Sequence, residues 1–136
     1  MTSPSTPGIN KTILIVDDHP SFRKAAKLAL ETDGFIVIGA VTDGKSAIIE
    51  TLRRRPDIVL LDVGLPDMTG FEATSRLREA GSSSAILHTS SRERSQFGTL
   101  IAESGADGFI QKEQLSGEMI RTEIAAWRSR VATSRA

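Results

Sequence analysis

Five short apolar runs punctuate the chain: Thr12–Val16, Phe35–Ala40, Ile58–Leu61, Ala85–His88 and Gly108–Ile110. Each is too short for a helix, rich in Ile, Val and Leu, and without clean alternation. That pattern predicts strands buried on both faces. Between the runs the apolar spacing turns helical. Phe22, Ala26, Ala29 and Leu30 share one face of a first helix starting near Pro20-Ser21. Ile48 and Leu52 mark a second, closed by Arg53-Arg54-Arg55 before Pro56. Phe71 to Leu77 forms a third, and Phe97, Leu100 and Ile101 a fourth. Ile120, Ile124, Trp127 and Val131 make one stripe on a fifth, with Trp127 as a core anchor. Gly34, Gly81 and Gly105 fall where helices one, three and four should end.

Strand and helix thus alternate five times. The expected class is α/β, a doubly wound parallel sheet with helices on both faces. Crossovers in such sheets are right-handed, so all strands present their C-terminal ends at one edge, where ligands bind in open α/β folds.

The residues at the end of each strand therefore carry the functional argument. Asp17 and Asp18 come after the first, Asp62 ends the third, Thr89 the fourth, and Lys112 comes after the fifth. Two carboxylates about 4 Å apart repel by roughly 4 kcal/mol at an effective dielectric near 20. Three clustered acids must take up protons or bind a cation. Oxygen ligands alone favour Mg²⁺, whose open positions accept phosphate oxygens. Asp62, at the end of the central strand, is placed as a nucleophile able to form an acyl phosphate. Lys112 pairs with it as a point charge, and Thr89 donates a hydrogen bond to a phosphoryl oxygen. Ser90 is a competing hydroxyl, but the strand register favours Thr89.

Composition narrows the class further. The 136 residues are 39% apolar and 25% charged, which suits one globular domain. Lys plus Arg equals Asp plus Glu at 17 each, so no global field points to nucleic acid or an anionic membrane. Without cysteine there is no disulfide or thiolate chemistry. No apolar stretch reaches membrane-spanning length and no signal peptide opens the chain, so a cytoplasmic location is expected. Residues 1–10, rich in Ser, Thr and Pro, are expected to be a disordered tail. The folded domain is expected over 11–131 with a short tail at 132–136.

The segments Ile13-Leu14-Ile15-Val16-Asp17-Asp18-His19-Pro20, Asp57-Ile58-Val59-Leu60-Leu61-Asp62, Leu65-Pro66-Asp67-Met68-Thr69-Gly70 and Gly108-Phe109-Ile110-Gln111-Lys112 together resemble the receiver domain (CheY-like) of bacterial two-component response regulators. The Asp-Asp-His-Pro start further resembles receivers of LuxR-type regulators. The resemblance implies a (βα)5 three-layer sandwich with strand order 2-1-3-4-5. It implies phosphorylation of Asp62 by a sensor histidine kinase. Mg²⁺ would be held by Asp18, Asp62 and the Gly64 backbone carbonyl directly, and by Asp17 through water. Thr89 and Phe109 would form the switch pair. The expected output is a changed face of the fourth helix, fifth strand and fifth helix, altering dimerisation or binding of a protein target. The basic tail with Arg128, Arg130 and Arg135 has too little structure to read bases, so no direct DNA contact by this chain is expected. A stand-alone receiver is the expectation, a fragment of a longer transcription factor the alternative.

Several residues depart from the family pattern or invite rival readings. Glu113 stands where many receivers have proline, Phe109 replaces tyrosine, and Gly64 and Ser91 offer little to position a hydrolytic water. His19 is read as a tolerant position rather than a ligand, His88 as packed, and Ser82-Ser83-Ser84 as a loop. An aspartyl-phosphate hydrolase would want a carboxylate where Gly64 stands. A flavin module would want a Ser/Thr/Gly-rich loop after the first strand, and a P-loop NTPase the G-x-x-x-x-G-K pattern. A degenerate receiver, acting only as an interaction surface, would lack one of the acids or the lysine.

Overall fold

The structure, a computed structural model, describes residues 11–135, without the side chains of 127, 128 and 130–135. The expected disordered tail, the Trp127 anchor and Val131 lie outside what is described. Five strands, β1 (Thr12–Val16), β2 (Ile36–Val41), β3 (Ile58–Asp62), β4 (Ala85–Ser90) and β5 (Gly108–Gln111), alternate with five helices. These are α1 (Pro20–Thr32), α2 (Gly44–Arg54), α3 (Gly70–Glu79), α4 (Leu100–Glu103) and α5 (Gly117–Arg135). All strand pairs are parallel, in the order β2-β1-β3-β4-β5. The predicted three-layer α/β architecture is the one adopted.

Alternate side chains of each inner strand feed opposite layers, as a period of two demands. Ile13, Ile15, Ile58, Leu60, Leu87 and Ile110 pack with Ala26 and Leu30 of α1 and Ile120 and Ile124 of α5. Leu14, Val16, Val59, Leu61 and Ile86 turn the other way, against Ala47 of α2 and Ala73 and Leu77 of α3. A third cluster, Val63, Phe97, Ile101 and Phe109, closes the core beside β5.

Three expectations need correction. β2 is not buried on both faces: it is an edge strand, with Ile36 46% exposed, because only β1 flanks it. Leu52 does not mark the buried face of α2. The buried positions there are Gly44, Ala47 and Thr51, with Ile48 packed against them from the rim. The fourth helix is not a continuous stripe through Phe97, Leu100 and Ile101. A 3-10 turn at Arg94–Phe97 is cut from the single α-turn of α4 by Gly98 at φ +56°. Phe97 and Ile101 are buried and Leu100 is half exposed.

Polar side chains fasten the layers. Gly34, Gly81 and Gly105 all adopt the left-handed conformation expected after a helix. Arg54, at the basic end of α2, donates to the carbonyl of Ile38, where the β1–β2 register shifts by one residue. Arg78 of α3 donates to the carbonyls of Gly105, Ser82 and Ser84 at 2.8–3.0 Å and to Asp107 at 2.7 Å. Asp107 in turn accepts from the Ile86 amide. Asp67 accepts from the first amides of α2, Gly44 and Lys45, tying the loop after β3 to its neighbouring helix. The Leu65–Gly70 turn thus has a structural duty.

Candidate functional site

β1 and β3 are adjacent in parallel register, with Val16 beside Leu61, so Asp17 emerges at the same edge as Asp62. Both carboxylates are almost wholly buried, while Asp18 is half exposed. Asp17, Asp18, His19 and Asp62 each bring one ligand atom within 4.8 Å of the others. Lys112, just past β5, places Nζ 2.6 Å from Asp17 Oδ2 and 3.3 Å from Asp62 Oδ2. Its ammonium also lies 4.7 Å from the centroid of the Phe22 ring, which confines it on the α1 side.

Burial and the neighbouring charge of Asp17 push the Asp62 carboxyl above its ordinary range, against the Gly64 amide and Lys112. Burial acts on Asp17 too, but hydrogen bonds from Lys112 and His19 prevail and hold it below that range. For Lys112 the loss of hydration is outweighed by the two acids, which raise its affinity for the proton. Three acids against one ammonium leave an excess of negative charge in a poorly solvated spot. That is a donor set of oxygens suited to a hard dication.

Thr89 pairs in register with Asp62, is fully buried, and its Oγ1 has no hydrogen-bond partner among the described residues. Ser90 is only partly buried, and its hydroxyl accepts from the Arg92 amide. The hydroxyl left over on the Asp62 side is therefore that of Thr89. Gly64 donates its amide to Asp62 Oδ1 at 3.2 Å and bridges back to Thr69, closing the loop over the site. Gly70 seals that loop from below. A Cβ there would stand 2.5 Å from the Asp62 carbonyl oxygen.

Phe109 is buried beneath this edge, 5.6 Å from Phe97, which stands 5.7 Å from Phe71. Its backbone is clamped. Glu123 of α5 accepts its amide at 2.9 Å and Arg94 donates to its carbonyl at 3.1 Å, and the two charged groups meet at 2.8 Å. This clamp joins the segment after β4 to α5 across β5. Sequence reasoning missed it, because Arg94 and Glu123 are far apart in the chain and unremarkable in type. His88, expected to be packed, is buried, with Nε2 2.7 Å from Thr74 Oγ1 and its ring edge-on to Phe71. His19, expected to stand aside, turns Nδ1 into the acidic cluster, 2.8 Å from Asp17 Oδ1.

The response regulator receiver domain model matches residues 13–124. The chain belongs to that family. A receiver of this kind is a module of two-component signalling rather than an enzyme that turns over a substrate. The chain is 34% identical over 113 residues to the virulence-factor transcription regulator BvgA of Bordetella pertussis, covering 83% of this chain and 54% of that protein. It spans about half the length of the curated relatives it matches. A LuxR-family two-component response regulator from Aurantimonas superposes with a TM-score of 0.78 at 29% identity, over 88% of this receiver and 86% of that chain. The CheX–CheY–BeF3–Mg complex from Borrelia burgdorferi gives 0.77 at 27% identity, over 90% and 97% of the two chains. No helix among the described residues is long and apolar enough to cross a membrane.

Proposed function

We propose that this receiver accepts a phosphoryl group on Asp62 from a sensor histidine kinase, with Mg²⁺ bound at Asp17, Asp18, Asp62 and the Gly64 backbone carbonyl. The observation carrying this reading is the placement of buried Asp62 beside two further carboxylates, with the Lys112 ammonium in contact with it. An Asp62 carboxylate oxygen would attack phosphorus as the P–N bond to the donor imidazole breaks. The bonding pair returns to that nitrogen while the other ring nitrogen keeps its proton, leaving an acyl phosphate and a neutral histidine on the kinase. A bound dication supplies charge neutralisation for the transferring oxygens.

The chain's own residues do the rest. Lys112 shifts from the carboxylate to the incoming phosphoryl oxygens, and Thr89, whose hydroxyl is otherwise idle, donates to one of them. Drawing Thr89 toward the phosphate vacates volume next to Phe109 on the neighbouring strand. Because Arg94 and Glu123 grip the Phe109 backbone, that repacking reaches the α4–β5–α5 face, where dimerisation or a protein target would sense it. BvgA is named a transcription regulator, and a similar output would need protein beyond the span matched here.

Incubation with acetyl phosphate and Mg²⁺, then intact-mass measurement, should add one phosphoryl group. Asp62→Asn should add none. A label that persists in Asp62→Asn would refute the assignment.

A further inference from the structure

We propose that His19 is a direct ligand of the dication at this cluster, and that its imidazole increases the site's preference for first-row transition dications over Mg²⁺. This rests on the reading above that the cluster holds a metal ion.

The distances carry it. His19 Nδ1 lies 2.8 Å from Asp17 Oδ1, 3.3 Å from Asp18 Oδ1 and 3.9 Å from Asp62 Oδ2. The first is a hydrogen bond in which Nδ1–H donates, so an ion bound at Nδ1 takes the place of that proton and the ring keeps its proton on Nε2. Ligands bound about 2.1 Å from one octahedral ion stand roughly 3 Å apart when adjacent and roughly 4.2 Å apart when opposite. All three separations fall at or close to that window, so one ion can meet the nitrogen and the oxygens with small adjustments. Two acids come from the loop after β1 and the third from β3, so the imidazole converges on atoms from separate elements.

Local structure explains why the ring points there. His19 occupies the N-cap of α1, a position where Ser, Thr, Asp or Asn would normally accept a helix amide. It makes no such capping bond. Its own amide donates to Asp17 Oδ1 at 2.8 Å, which folds the backbone back over the acids, and Pro20 stands next at the first helical position. The ring remains 63% exposed on its outer side, lining an open cleft with Ser21, Phe22, Ser91, Lys112 and Glu113. On the opposite side, fully buried Thr89 brings an unpartnered hydroxyl to the same sheet edge as Asp62.

Ligand chemistry then sets the preference. An all-oxygen set accepts Mg²⁺ without excluding Co²⁺ or Ni²⁺, whereas one imidazole nitrogen adds more to binding of Co²⁺ or Ni²⁺ than to binding of Mg²⁺. His88, the other histidine, is fully buried and offers no competing site.

The test is titration of the whole chain with Co²⁺ and, separately, Mg²⁺, for the native protein, His19→Ala and His19→Gln. The ratio of Co²⁺ to Mg²⁺ affinity should fall by about tenfold in both variants. Co²⁺ should also displace the His19 ring proton resonances of the native protein far from their metal-free positions. An unchanged ratio in both variants, or unshifted ring resonances at saturating Co²⁺, overturns the proposal while leaving the acidic site standing. Uptake of neither ion by the native protein, or full uptake of both by Asp62→Asn, overturns the metal site itself.

Discussion

Asp62 and Thr89 hold matched positions on adjacent parallel strands, so a perturbed carboxylate and an unpartnered buried hydroxyl share one side of the sheet at its C-terminal edge. The resting protein carries the cost of that idle hydroxyl. Thr89→Val keeps the shape and removes the polar atom, so it should raise unfolding free energy by about 1 kcal/mol. Urea denaturation measures this. The same variant should lose the change in amide spectrum that beryllofluoride produces in the native protein.

A similar trade applies to Asp62. Its carboxyl binds a proton more tightly folded than unfolded, so the unfolded state holds fewer protons between the ordinary carboxylate value and the raised one. Across that interval stability falls as pH rises, and the penalty persists at neutral pH. Asp62→Asn should therefore stabilise the metal-free protein at pH 7, by about 1 kcal/mol. Mg²⁺ should stabilise the native chain and have much less effect on the variant, as thermal unfolding with and without the ion would reveal.

His88 works in the opposite sense. Burial lowers its pKa from 6.5 to about 4, so it folds neutral while the unfolded chain binds its proton more readily. Its contribution is fully present above 6.5 and is lost as pH falls toward 4. The loss amounts to about 3 kcal/mol across that interval. His88→Leu should flatten the pH dependence of urea stability there by up to one proton. An unaltered slope would mean that the imidazole is not buried in its neutral form.

Gly70→Ala should be among the most damaging small substitutions. The added methyl would meet the Asp62 carbonyl oxygen and the Val63 Cα, neither of which can rotate aside. A loss of about 2 kcal/mol or more is expected, together with weakened Mg²⁺ binding, because the strained backbone belongs to Asp62 itself.

Layers and strand ends were legible because buried parallel strands advertise themselves as short runs of Ile, Val and Leu, and the parallel arrangement forces the residue after each run to the same rim. Asp17, Asp18, Asp62, Thr89 and Lys112 could be lined up without coordinates for that reason. The α4 region was harder: Leu100 looks like core, but Gly98 breaks the segment and leaves it half exposed. β2 read as buried on both faces because its composition matches that of the inner strands, although the order 2-1-3-4-5 puts it at an edge. The inward turn of His19 and the Arg94–Glu123 clamp were not legible for a different reason. They arise from rotamers and long-range contacts, which no spacing rule encodes.

Arg78 holds the far end of the segment between β4 and β5. Its guanidinium engages Gly105 and Asp107 on one side and the Ser82–Ser84 turn on the other, so the chain entering β5 is pinned to α3. Arg94 ties the other end of the same segment to the Phe109 carbonyl and to Glu123. The stretch carrying α4 is therefore moored to one helix layer at its start and to the other at its finish, two anchorages drawn from opposite sides of the sheet.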